Sequence, residues 1–113
     1  MQVTRFDEAR HYPVPKHHGM LAFRLQGLDA TKTAGTWIGL SVFLPGGGAE
    51  SDAGNVEKFY VVLEGTITID VGGTRHVLSA LDSCHIAPGE ARTIVNDSNQ
   101  VARMLVVVPG SAA

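Results

Sequence analysis

The sequence predicts an all-β fold, and three observations carry that reading. Thirteen glycines and five prolines in 113 residues cut the chain into short apolar runs. The runs recur at intervals of roughly 8–12 residues with turn residues between them, which is the rhythm of a sandwich or barrel. No segment sustains a helical apolar period.

The strands follow in order. Residues 20–25 and 36–44 read as the first two, the second apolar on both faces through Trp37, Ile38, Leu40, Val42 and Phe43 and ended by Pro45-Gly46-Gly47-Gly48. Residues 59–63 are again apolar on both faces, as a doubly covered strand requires. Gly65 marks a bend into residues 66–71, whose Thr-Ile-Thr-Ile-Asp-Val alternation suits a half-exposed strand. Gly72-Gly73 is a two-residue hairpin signal, since both central positions of that turn need positive φ, and residues 76–78 return from it. A turn at 80–83 leads to a short strand at 84–87. Pro88-Gly89 turns the chain into 93–95, Asp97-Ser98-Asn99 forms the last loop, and residues 104–108 close the fold. Antiparallel strands in this order suit a jelly roll, a barrel flattened into two facing sheets with a ligand-sized interior.

One domain, 1–113, accounts for the whole length. Within it, residues 1–19 form an arm, 20–109 the barrel and 110–113 a small-residue tail expected to be mobile. Pro13 and Pro15 force the arm into an extended path. It carries His11, His17 and His18 and is expected to cross its own barrel mouth or reach a partner subunit. The two-sided apolar strands leave one sheet in want of cover, which a back-to-back homodimer would provide.

Composition narrows the partners. A net charge of −2 and 18% charged residues leave no basic surface for nucleic acid or an anionic membrane. Small neutral or anionic molecules are the expected ligands. Cys84 is alone and forms no internal disulfide, and the first ten residues lack the apolar core of a signal peptide, so a soluble cytoplasmic protein is expected. No apolar run approaches the roughly 20 residues of a spanning helix.

Two stretches carry a family resemblance. PGGGAESDAGNVEKFYVVLEG, residues 45–65, resembles the first signature of the cupin superfamily: a Pro-Gly turn, two histidines one residue apart, a glutamate, and an apolar strand closing on Leu-Glu-Gly. DSCHIAPGEARTIVN, residues 82–96, resembles the second, which delivers a histidine four residues before an asparagine. The likeness spans roughly residues 36–108 and implies the cupin jelly roll. It also implies where a metal would sit, and there the chain departs from the pattern. Ser51 and Ala53 stand at the histidine positions, Lys58 at the glutamate and Arg92 at the last histidine, while Asn96 is kept. No metal or other cofactor is therefore expected.

The replacements become the candidate site. Strand alternation puts Lys58, Tyr60 and Val62 on one face, and the family register turns that face inward. A buried lysine must find an anion, lose its proton or sit in a wet cavity; with a lowered pKa it is a candidate base or Schiff-base amine. Arg92, facing it, would grip a carboxylate, phosphate or enolate bidentately. His17 and His18 are candidates for acid–base work. Tyr60 and Ser51 would be polar handles on the ligand. A one-residue slip would instead turn Glu50, Asp52 and Glu57 inward, a carboxylate cluster able to hold a metal with His17 or His18. His76 and His85 are expected outside or in packing roles, and Cys84 as a small buried hydrophobe.

The function that follows is a metal-independent enzyme of isomerase, lyase or decarboxylase type, moving a proton on a small carboxylate or other anionic metabolite. The resemblance implies that losing the metal need not end catalysis, since metal-free deoxysugar epimerases belong to the same superfamily. The alternatives are a binding or sensor module without turnover, the non-standard metal site just described, and a barrel sealed by internal ion pairs.

Overall fold

The computed structural model describes residues 1–110 and contains nine β-strands and a single 3-10 turn, Phe6–Glu8, with no α-helix among the described residues. In chain order the strands are β1 (Arg10–Tyr12), β2 (His17–Gln26), β3 (Trp37–Asp52), β4 (Lys58–Glu64), β5 (Ile67–Val71), β6 (Thr74–Leu78), β7 (Ser83–Ile86), β8 (Arg92–Val95) and β9 (Ala102–Val108). They run antiparallel in the order β6-β5-β8-β3-β9-β4-β7, with β2 also on β3 and β1 on β2. The sheet curls into a nearly closed jelly-roll barrel, open between its two end strands β6 and β7. None of its elements is a helix long and apolar enough to cross a membrane.

The expected strands are present, but β1 is an added strand within the arm, β2 begins three residues early at His17, and one strand end needs correction. Pro45-Gly46-Gly47-Gly48 does not end the second long strand, because β3 continues through it to Asp52. The glycines explain this. A Cβ on Gly47 would collide with the Gly19 carbonyl and one on Gly48 with that of Ile94, so bare backbone lets β3 pass between β2 and β8. Its first half therefore pairs with β9, Phe43 opposite Ala102, and its second half with β8, Gly48 opposite Val95. The hairpin at Gly72-Gly73 forms with φ of 60° and 84°, the pair of left-handed residues such a turn demands.

The core lies between the walls and joins Phe43, Tyr60, Val62, Ile67, Ile69, Ile94 and Met104, each at most 3% exposed. Alternation works as expected on β4, where Tyr60 and Val62 are buried and Phe59 and Leu63 exposed. The arm lies across its own barrel. β1 pairs with β2, Phe6 meets Phe23 edge-on at 5.1 Å, and His11 also packs on Phe23. Gly110, the first residue of the expected tail, donates its N–H to Thr36 Oγ1; 111–113 lie outside the described residues.

A cavity between the barrel and its arm

The barrel interior opens beneath the arm into a cavity of about 100 Å³. Its polar wall consists of Lys58, Tyr60, Arg92, His17 and Ser41, and its apolar wall includes Tyr12, Trp37, Phe43, Met104 and Val106. The register explains the grouping. Arg92 stands opposite Asp52 on β3 and Val71 on β5, Lys58 opposite Ile86, and Tyr60 opposite Cys84, so their side chains share the inner face. Larger hollows exist, among them an open groove along residues 28–33 of about 550 Å³. That groove holds no buried charge. The small cavity does.

Arg92 is 5% exposed. Its Nε donates to the Tyr60 hydroxyl at 3.1 Å and its Nη1 to the backbone carbonyl of Glu50 at 3.1 Å. Both partners are neutral. The ion pairs among the described residues are Lys16–Asp52, Arg24–Asp29, His85–Glu57 and Arg103–Glu64, and none includes Arg92 or Lys58. Burial lowers the Lys58 pKa most, the nearby Arg92 charge lowers it further, and Asp52 opposes them. Burial raises that of Tyr60, against the pull of Arg92.

His17 completes the polar wall from the arm. Its Nδ1 lies 2.8 Å from the Pro15 carbonyl, which only accepts, so Nδ1 carries a proton and the neutral ring keeps its lone pair on Nε2. Burial is the largest influence on its pKa and lowers it, the Pro15 contact opposes that, and Arg92 and Lys58 add to the lowering. A neutral imidazole with a free Nε2 can accept a proton. An ammonium with a lowered pKa can give one.

The structure thus brings together Lys58, Tyr60, Arg92 and His17. His18 and Ser51 are exposed and do not line the cavity. For Ser51 the cause is an irregularity in the pairing of β3 with β8 between Ala49 and Asp52, which breaks the simple alternation there. His76 and His85 are exposed, the latter bonded to Glu57 at 3.0 Å. Cys84 is half-buried, and burial raises its thiol pKa.

The superfamily's metal finds no ligands here. Of the four motif positions, Ser51 and Ala53 are exposed and the other two hold cations. Glu50 is exposed, Asp52 pairs with Lys16 and Glu57 with His85. Among the described residues no three His, Cys, Asp or Glu side chains converge on a common point.

Ser41 on the polar wall, and Tyr12 and Trp37 with the Arg24 that packs on them, were not expected from the sequence. Tyr12 and Trp37 meet edge to face at 6.3 Å, and the Arg24 guanidinium lies 3.7 Å from the centre of the Tyr12 ring and 4.7 Å from that of Trp37. This cation–π cluster fastens the arm over the cavity. Gly39 makes room for it, because a Cβ there would stand 2.6 Å from the Tyr12 hydroxyl. A lone glycine inside an apolar strand often marks such a close approach, and Gly39 was the available signal.

Known proteins bear on this geometry at two levels. The chain is 44% identical over 108 residues to the β-D-galactosidase Rv1717 of Mycobacterium tuberculosis, covering 96% of this chain and 93% of that one. Among solved structures, the polyketide cyclase RemF of Streptomyces resistomycificus superposes with a TM-score of 0.85 at 19% identity, over 96% of this chain and 79% of that one. A predicted oxalate decarboxylase of Thermotoga maritima gives 0.81 at 21%, over 98% and 100%. These two share the fold. The cupin domain model matches residues 39–108, from Gly39 through β9, and the chain therefore belongs to the cupin family.

Proposed function

We propose that this cupin is a carbohydrate-active enzyme that hydrolyses β-D-galactosides in the cavity under its arm. The observation that carries this is the 44% identity, over nearly the full length of both chains, to a protein named for that activity. The cavity is chemically suited to a sugar. Tyr12 and Trp37 offer aromatic surface to the C–H faces of a pyranose, while Arg92, Tyr60 and Ser41 offer hydrogen bonds to its hydroxyls. Most glycosidases use two carboxylates, yet no Asp or Glu lines this cavity. The acid and base are then Lys58 and His17. His17 Nε2 takes a proton from water as its oxygen bonds to the anomeric carbon, and the Lys58 ammonium protonates the departing glycosidic oxygen as the C–O bond breaks. Tyr60, bonded to Arg92, helps hold the sugar. His18 and Ser51 take no part.

The test is turnover of chromogenic β-D-galactoside by untagged protein, beside the α-anomer and a β-glucoside. Losing either proton-transfer group, in Lys58→Met or His17→Gln, is expected to cost roughly 10²- to 10⁴-fold. No turnover by the unaltered protein would end this reading.

A second reading is metal-independent proton transfer of isomerase or lyase type on a small carboxylate. The adjacent cations Lys58 and Arg92, with no acidic partner, favour it. Deuterium exchange next to a carboxylate, lost in Lys58→Met, would support it, whereas tight binding without exchange or turnover would make the protein a binding module. For the quaternary structure we propose a homodimer joined through the outer face bearing Phe59, Val61, Leu105 and Leu21, of which Leu21 is 52% exposed. Sedimentation at monomer mass across a concentration series would exclude it.

A further inference from the structure

We propose that the sugar taken by this site is anionic: a galactoside bearing a carboxylate, of uronide type, with that carboxylate seated between the Arg92 guanidinium and the Lys58 ammonium. This deepens the galactosidase reading and rests on it for the sugar, but the seat itself is argued from charge and hydrogen bonding. A guanidinium that is 5% exposed ordinarily meets a carboxylate. Here it has only a hydroxyl and a backbone carbonyl. Its second terminal nitrogen, Nη2, donates no hydrogen bond among the described residues, and no fully buried side-chain nitrogen or oxygen there lacks a partner. Nη2 therefore borders accessible space. Among the described residues the Lys58 side chain likewise makes no hydrogen bond or ion pair, and its Nζ lies under the loop at Gly54, where a Cβ would stand 3.4 Å away.

The nearby acids are committed elsewhere, Asp52 to Lys16 and Glu57 to His85. Two like charges facing one small cavity repel each other unless an anion lies between them. Tyr12 and Trp37 stand on the wall of the same cavity, where a sugar ring would lie beside the two cations. A planar guanidinium meets a carboxylate through two parallel hydrogen bonds, which a sugar hydroxyl cannot match.

The experiment compares D-galacturonate with D-galactose by isothermal titration of untagged protein at low ionic strength. Galacturonate is expected to bind roughly 10- to 100-fold tighter, the worth of charge-assisted hydrogen bonds, and added salt is expected to narrow the gap. Lys58→Met and Arg92→Lys are each expected to shrink the preference. The second keeps a cation but loses the fork, and the first, at a half-buried position, serves should the arginine variant not fold. Equal affinity for both sugars, or a preference untouched by Lys58→Met, overturns the proposal. Chromogenic substrates separate it from the reading beneath it. Cleavage of a β-galactoside at least as fast as of the β-galacturonide overturns the anionic seat and leaves the galactosidase standing. A galacturonate preference with neither glycoside cleaved supports the seat and removes the hydrolase.

Discussion

Arg92 and Asn96 bound β8, one opening the strand and the other following its last residue, and both are polar and buried. They are buried in different ways. Asn96 is fully enclosed and fully satisfied: its amide donates to the carbonyls of Phe43 and Gln100 and accepts from the N–H and hydroxyl of Ser98. Its backbone closes the Gly46 and Gly47 turn from both sides. Arg92 makes fewer bonds than it can and forms no ion pair among the described residues, since Asp52, opposite it on β3, pairs with Lys16. A saturated buried polar group pins a loop, and an unsaturated one invites a ligand.

Stability and activity should therefore separate along this strand. The largest loss of stability is expected at Asn96→Ala, which removes the side-chain partner of the Phe43 carbonyl and of the Ser98 N–H, while the Gln100 carbonyl keeps the Ser98 hydroxyl. At about 1 kcal/mol or more per group it should cost about 2 kcal/mol or more in urea unfolding, with ligand affinity unchanged in the fraction that stays folded. Arg92→Met should reverse the pattern. Leaving the Tyr60 hydroxyl and the Glu50 carbonyl unpaired costs about 1–3 kcal/mol, partly offset by removing a buried charge, while turnover falls roughly 100-fold or more. Equal losses of stability and turnover at both positions would dissolve the distinction.

Gly39→Ala sharpens the comparison from outside the polar wall. The new methyl displaces the Tyr12 hydroxyl, and because the arm can move aside the cost should sit near the low end of overpacking, about 1 kcal/mol, with a weakened KM as the arm lifts. Lys58→Met should go the other way in stability. It removes a cation facing Arg92 and raises the melting temperature by an amount worth less than about 1 kcal/mol, while turnover falls.

The smallest effect concerns pH. The folded-state pKa of His17 lies below its ordinary value, so the unfolded chain binds more protons between the two values and stability rises with pH across that window. Above the ordinary imidazole value the group costs nothing. Below the folded value the penalty is complete. Acid melting curves of His17→Gln should be flatter than those of the unaltered protein through that window, and identical curves would remove His17 from the buried wall.

These contrasts show what the sequence could and could not convey. The inward face of β4 was legible because alternation is a local property: once Val62 is core, Tyr60 and Lys58 share its side. Arg92 was legible through the spacing of the second motif. Ser51 was misplaced relative to the cavity because it lies near a pairing irregularity, where counting by twos loses phase, whereas His18 faces away by ordinary alternation beside His17. The continuation of β3 through Pro45-Gly46-Gly47-Gly48 was hidden for a related reason. Glycines that end a strand and glycines that let two backbones touch look alike until the neighbours are known. The joining of Tyr12, Arg24 and Trp37 depends on how the arm folds back, a long-range contact with no local signature.

The place of β9 has a consequence for how the molecule comes into being. This strand, last of the nine in chain order, lies between β3 and β4, both made long before it. Until β9 emerges, β3 and β4 each present an open, apolar edge to whatever is nearby. The barrel thus cannot be assembled progressively from its beginning, and closure waits on the late insertion of a middle stave. Such non-local pairing slows folding and leaves edges exposed meanwhile. A nascent chain stalled before residue 102 carries most of the core residues and lacks the strand that joins its walls.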